Sequence, residues 1–317
     1  MERYRDLKVA VTGAAGFIGS HLVEKLLALG AEVTVIDNVM HGSKIEHLKG
    51  QKRLSIYNED VRDAEVMYQC LKDKDVIFHL AAVVGVEETQ LIPLEVLSVE
   101  IQGTLNVLSL AADNGIKRII LASSSEVYGD LLEPSKEEVP ISPKSTYAIA
   151  KVVAEEYCKA FYQRYGLQYV CLRYFNVYGP RQDERFVIPR FIKSALRNKP
   201  MLIYGDGKQT RDFTYVDDAV NMTLLAGVKP EASCQTINIG TGIMTTINEV
   251  ARTVTRALGI KRDIKPVYVD YDDKRPRQIE VFSRVADITK AKKCLQYEPK
   301  ISLGSGLKTY ADWWLGS

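Results

Sequence analysis

The chain has 317 residues, 46% of them apolar, which is ample for one large core or for two abutting ones. Its 42 Lys and Arg against 40 Asp and Glu leave a formal charge of +2, so no broad field favours nucleic acid or an anionic membrane, and any anion must be held locally. Scattered cysteines without a CxxC pair, histidines without ligand spacing and no run of ~18 apolar residues argue against a metal centre, a disulfide framework and a membrane span.

In chain order, short β-rich apolar runs alternate with helical patterns. Val9-Ala10-Val11 precedes a helix from about Gly16 to Leu29; then come Val33 to Ile36, Leu54 to Tyr57, and Val76-Ile77-Phe78. A long helix follows Pro93, then a strand from Arg118 to Ala122, a helix from about Thr146 to Tyr165, and a strand from Gln168 to Leu172. Strands alternating with helices predict parallel βαβ units, hence a Rossmann-type, doubly wound α/β sheet, and strands apolar at every position fit a sheet covered on both faces. After Gly179-Pro180 the rhythm loosens into short strands, turns such as Gly205-Asp206-Gly207, and helices near Val216, Thr246, Asp287 and Gly304. We therefore expect a dinucleotide-binding domain over 1–179 and a smaller C-terminal α/β substrate-binding lobe over 180–317. Without a Ser/Gly linker between them, the two should share strands or helices. Cys70, Cys158, Cys171, Cys234 and Cys294 read as free thiols, mostly buried, and a charged N-terminus running straight into a strand predicts a cytoplasmic protein.

The first strand runs directly into Thr12-Gly13-Ala14-Ala15-Gly16-Phe17-Ile18-Gly19, which opens the first helix. Gly13, Gly16 and Gly19 let the backbone turn tightly and approach a pyrophosphate, whose charge is met by free N–H groups at the helix start. Asp37 closes the second strand, where a carboxylate can bind ribose hydroxyls and repel a 2′-phosphate, so the expected cofactor is NAD rather than NADP.

A phenol and an ammonium four residues apart share one helix face, and the pattern YxxxK occurs three times, at Tyr4–Lys8, Tyr68–Lys72 and Tyr147–Lys151. Only the third lies downstream of a strand end carrying hydroxyls, Ser123-Ser124-Ser125-Glu126-Val127-Tyr128-Gly129, and carboxyl ends of strands are where open α/β sheets bind ligands. The Lys151 charge is expected to lower the Tyr147 pKa from ~10 toward the range a general base needs.

Together with Leu172-Arg-Tyr-Phe-Asn-Val-Tyr-Gly-Pro180 and Gly205-Asp-Gly-Lys-Gln-Thr-Arg-Asp-Phe213, these motifs resemble the nucleotide-sugar epimerases and dehydratases of the extended short-chain dehydrogenase family. The resemblance covers nearly the whole chain. It implies that Tyr147 takes the proton of the sugar 4-hydroxyl as C4 gives hydride to NAD, that Lys151 holds the nicotinamide ribose, and that Ser124 bonds O4. It places Phe17 and Ile18 at the pyrophosphate, Asp37 and Asn38 at the adenosine ribose, Asp60 and Val61 at adenine, Leu80, Ala81 and Ala82 along the cofactor, and Tyr174 beside the nicotinamide. Asn176, Arg211 and Arg277 match the family's diphosphate ligands, charge-assisted contacts that a near-neutral protein needs locally, and Tyr204 is placed against the base.

The chain departs from its relatives at Glu100, where many carry Asn, and at Arg277-Gln-Ile-Glu280, where they show Arg-x-Gly-Asp or Arg-x-Gly-Glu. A 4-keto sugar returning hydride to its other face gives C4 inversion, and the resemblance puts first a 4-epimerase of a UDP-hexose or UDP-N-acetylhexosamine. Glu126, an acidic residue at the position used by dehydratases and UDP-glucuronate decarboxylases, keeps those reactions open. So does the possibility of a non-catalytic NAD-binding scaffold, although such proteins usually lose the tyrosine or lysine. Apolar residues on more than one face of the helices after Pro93 and around Thr146–Tyr165 predict, with the family, a homodimer built on a four-helix bundle.

Overall fold

The structure, a computed structural model, describes residues 2–131, 133–261, 264–272 and 276–316. Six strands come from the first 174 residues: β1 (Lys8–Thr12), β2 (Glu32–Ile36), β3 (Leu54–Tyr57), β4 (Val76–His79), β5 (Arg118–Ser124) and β6 (Gln168–Tyr174). With a seventh strand, Gln235–Ile239, they form one sheet in the order Gln235–Ile239, β6, β5, β4, β1, β2, β3. Every pairing in it is parallel. From β1 the chain first builds outward through β2 and β3, then returns to lay β4 on the other side of β1. The crevice above the carboxyl ends of β1 and β4 is therefore the place where such a sheet takes a ligand.

The strand expectations hold with one physical exception. Residues of β1, β2 and β4 are buried almost throughout, as a sheet covered on both faces requires. At the edge, β3 leaves Ile56 and Tyr57 exposed. The first helix, α1 (Phe17–Ala28), follows the glycine turn, and α2 (Ala64–Leu71) starts at Asp63, whose carboxylate accepts from the Val66 N–H. Next come α3 (Val86–Leu91) and α4 (Pro93–Leu97). The single long helix expected after Pro93 is interrupted here: α4 passes through a π-helical turn, Ser98–Gly103, into α5 (Thr104–Asp113).

The long helix α6 (Thr146–Tyr165) runs as expected, capped by the Ser145 hydroxyl accepting from the Ala148 N–H and closed by Gly166 at φ +71. It is locked to the sheet through Glu155, which takes two bonds from the Arg173 guanidinium of β6 and one from the Ser123 hydroxyl of β5. That arrangement fixes the strand end carrying Ser124 relative to the helix carrying Tyr147.

The division at residues 179 and 180 is not clean in space. The strand Gln235–Ile239 lies in the main sheet beside β6, and the helix Val216–Val228 packs on α1, β5 and β6. The remaining short elements form the lobe above the sheet. Asp212, fully buried, ties that lobe together by accepting from the backbone N–H groups of Thr241, Gly242 and Ala286.

Candidate active site

At the carboxyl end of β1 the backbone packs so closely that side chains are excluded. A Cβ on Gly13, at φ +65, would stand 2.6 Å from the Ala81 nitrogen and the Leu80 carbonyl carbon; one on Gly19 would stand 2.3 Å from the Gly13 oxygen. The turn is thus a bare backbone cradle at a helix start, the form that receives a pyrophosphate. It forms one end of a cleft of about 380 Å³, within the range of small-molecule and cofactor sites. Gly13, Gly16, Phe17, Ile18 and Gly19 line it there, and Leu80, Ala81 and Ala82, following β4, line its middle.

Asp37, Asn38, Asp60 and Val61 also line the cleft. The Asp37 carboxylate accepts from the Ala15 and Val39 N–H groups, and burial raises its pKa against those bonds. Asn38 donates to Asp60, while the Arg62 guanidinium beside Asp60 holds that carboxyl down to about 2. A carboxylate at position 37 leaves no room for a second anion, which suits a cofactor without a 2′-phosphate. Beneath the cleft, His79 bridges Thr12 and Thr104 at 2.7 and 3.1 Å. Burial, with the nearby Lys151 charge, pushes its pKa to about 3, so the ring is neutral. The Thr12 hydroxyl also accepts from the Ala81 N–H, which ties the ring to the start of the cleft's middle stretch.

The other end of the cleft gathers Ser124, Glu126, Tyr147, Lys151, Tyr174 and Asn176. The Tyr147 phenol and the Ser124 side chain line the cleft together, and Ser124 favours the phenolate. Lys151 Nζ stands 5.5 Å from the centre of the Tyr147 ring, and it forms a buried ion pair with Glu100 at 2.6 Å. This corrects the expectation that Lys151 lowers the Tyr147 pKa. Burial, with the charges of Glu100 and Glu126, pushes that phenol well above its ordinary value, and the Lys151 ammonium is paired with Glu100.

Glu126 is itself held by Arg284 at 3.4 Å and by the Ser145 hydroxyl at 3.3 Å. The Tyr174 hydroxyl meets Thr223 at 2.7 Å, and Asn176 donates to the Asp212 carbonyl at 3.3 Å. The two other YxxxK tyrosines lie elsewhere: Tyr4 is buried and donates to the Leu224 carbonyl, and Tyr68 is exposed on α2.

Three expected ligands do not join this group. Tyr204, Arg211 and Arg277 do not line the cleft. The short strand Thr210–Arg211 pairs with Thr245–Thr246 and Ser283–Arg284, and that register turns the Arg211 guanidinium to the Glu280 carboxylate. Tyr204 packs on Tyr271 with ring centres 6.1 Å apart, and Arg277 opens a short 3-10 turn, Arg277–Ile279. Sequence reasoning missed three side chains now in or under the cleft: His79, Arg284 and Arg185, the last donating to the Val84 carbonyl at 3.0 Å. Only Glu100 carried a signal, as a departure from its relatives.

A family model described as GDP-mannose 4,6 dehydratase matches residues 10–310. The chain is 38% identical over 313 residues to a UDP-N-acetyl-alpha-D-glucosaminuronate decarboxylase of Bacillus cytotoxicus, covering 96% of each. Among solved structures it matches the UDP-glucose 4-epimerase of Thermotoga maritima with UDP-glucose, at 37% identity and a TM-score of 0.90, covering 98% of this chain and 99% of that one. It also matches the UDP-glucose 4-epimerase of Thermus thermophilus in complex with NAD, at 32% identity and a TM-score of 0.88, covering 98% and 100%.

Proposed function

We propose that this chain, which belongs to the GDP-mannose 4,6-dehydratase family of NAD-dependent nucleotide-sugar enzymes, inverts C4 of a UDP-hexose or UDP-N-acetylhexosamine through a 4-keto intermediate. The observation that carries this reading is that one cleft runs from the bare glycine turn to the Tyr147 phenol and the Ser124 side chain, with Lys151 beside them. NAD held by the glycine turn and Lys151 would supply the hydride acceptor, and its positive charge would favour the Tyr147 phenolate. Tyr147, which would release its own proton to solvent once the site is loaded, takes that of the sugar 4-hydroxyl as hydride leaves C4. Ser124 steadies the sugar oxygen, and Asp37 with Asn38 holds the adenosine ribose. When the keto sugar presents its other face, hydride returns to C4 and Tyr147 returns the proton to oxygen. Atoms and electrons balance over the cycle, so no outside oxidant is consumed.

Glu126 supports a second reading, decarboxylation or dehydration after the same first step, because its carboxylate lies in the cleft and a relative of 38% identity is a decarboxylase. Its contacts with Arg284 and Ser145 support a held counter-charge rather than a free base, which favours simple inversion. Proton NMR of the protein with a panel of UDP-sugars in heavy water separates the outcomes. Inversion at C4 without deuterium uptake supports the epimerase. Deuterium at C5 with a new methyl signal means a dehydratase, and a pentose product with carbon dioxide means a decarboxylase.

The reading extends to assembly and place. Leu94 on α4 and Ile149 on α6 are exposed at 80% and 48%, an apolar face suited to a homodimer packed helix against helix. Sedimentation at micromolar concentration tests it, a monomer being the refuting result. Among the described residues no helix is long and apolar enough to cross a membrane. Five free cysteines suit the reducing cytoplasm.

A further inference from the structure

Glu100 occupies a place in this site that the tyrosine chemistry alone does not require. It sits on the π-helical turn Ser98–Gly103, a widened turn of the kind that concentrates at functional sites. Its side chain is 1% exposed, and that of Lys151, which it meets at 2.6 Å, is 2% exposed. Burial raises the Glu100 pKa, while the Lys151 ammonium and the Val83 backbone N–H work against it and favour the charged form. The Lys151 charge also reaches neutral His79 from β4, and Tyr147, one turn back on α6, feels Glu100 together with Glu126 from the turn after β5 and Arg284 from the short strand Ser283–Arg284. A buried ammonium held by a buried carboxylate has one position, and its charge is largely cancelled at the distance of the phenol.

We propose that Glu100 is a positioning residue for the reaction: it holds the Lys151 ammonium against the wall of the cleft and, by cancelling that charge, sets the pH range over which Tyr147 takes up the sugar proton. The inference rests on the proposed role of Tyr147. Two effects of removing the carboxylate point the same way. A negative charge that disfavours the phenolate disappears, and the lysine charge 5.5 Å from the ring is no longer cancelled. Both make the phenolate available at lower pH.

The test is kcat against pH, from about pH 5.5 to about pH 10, for the NAD-loaded protein and its Glu100→Gln and Glu100→Asp variants. The substrate is whichever UDP-sugar the unaltered chain converts. The acid limb of Glu100→Gln should fall by about one pH unit, while Glu100→Asp, which keeps the charge, retains the parent limb. A Glu100→Gln profile that superimposes on the parent, whatever its height, overturns the proposal. A second measurement needs neither turnover nor a Glu100 variant. In the unaltered protein labelled with 15N-lysine, one ammonium signal should exchange slowly with water and be missing from Lys151→Arg; its absence overturns the ion pair on which the proposal stands. If no UDP-sugar is converted, the epimerase reading fails, and the ammonium signal still decides whether Glu100 holds Lys151.

Discussion

Replacing Gly19 by Ala sets two effects of known sign against each other. Gly19 lies inside α1, where alanine is the better helix former, so propensity alone would stabilise the protein by about 0.5–1 kcal/mol. The added methyl, however, would sit 2.3 Å from the Gly13 oxygen and 2.7 Å from the Ala14 Cα, both backbone atoms. A Cβ needs at least 3.0 Å, so the turn must retreat by about 0.7 Å, the difference between those distances. Overpacking of this kind costs about 1–3 kcal/mol, which offsets the helix term and leaves a net loss of up to about 2.5 kcal/mol. The displaced atoms are those that form the cradle, so NAD affinity should fall by at least about tenfold, equivalent to about 1.4 kcal/mol. Gly304→Ala is the matched control: it lies in the helix Leu303–Gly316 with nothing within 4 Å of its Cβ, and should stabilise by up to about 1 kcal/mol without touching NAD binding. Urea unfolding of the protein without NAD and calorimetric NAD titration read the two quantities. Gly19→Ala unfolding no earlier than the parent and binding NAD as tightly would refute the steric argument.

Other outcomes follow from the same contacts. Tyr147→Phe removes the proton acceptor and should lower kcat by about 10²–10⁴-fold while calorimetry shows NAD bound as before; undiminished turnover would remove Tyr147 from the mechanism. Arg173→Met strands the Glu155 carboxylate, 2% exposed, and should cost about 3–5 kcal/mol in urea unfolding, with a loss below about 1 kcal/mol counting against the buried pair. Folded His79 takes its proton only near about 3 against 6.5 in an ordinary histidine, so the native state binds fewer protons between those values. The resulting stability is complete above about pH 6.5 and falls on acidification by up to about 1.4 kcal/mol per pH unit; His79→Gln should lose less between about pH 7 and about pH 5 in urea, and parallel losses would contradict a neutral buried ring.

What was legible in the sequence was whatever depends on local order. The glycine turn, the strand that feeds it, Asp37 closing the next strand, and the cap and span of α6 are all neighbours along the chain, and each lies where periodicity and spacing put it. Contacts arriving from elsewhere were not legible. Spacing showed Lys151 one turn from Tyr147, yet the burial that raises the tyrosine and the Glu100 carboxylate that pairs with the lysine both come from other parts of the chain. The same holds for Arg211: its motif is plain, but which way the guanidinium points is decided by pairing with strands that start at Thr245 and Ser283, and it meets Glu280. The break in the helix after Pro93 also escaped notice, since a π-turn changes hydrogen bonding without any Gly or Pro at its start.

The strand Gln235–Ile239 completes the main sheet from the far side of the other lobe. During synthesis, then, β6 waits with an open edge until some sixty further residues have left the ribosome, and only afterwards does the nucleotide-binding half close. A fragment cut at the lobe boundary would keep the glycine turn and the tyrosine but present a bare row of peptide groups along β6, inviting self-association. Anyone wishing to divide this protein should expect to exchange lobes between whole chains, not to express them apart.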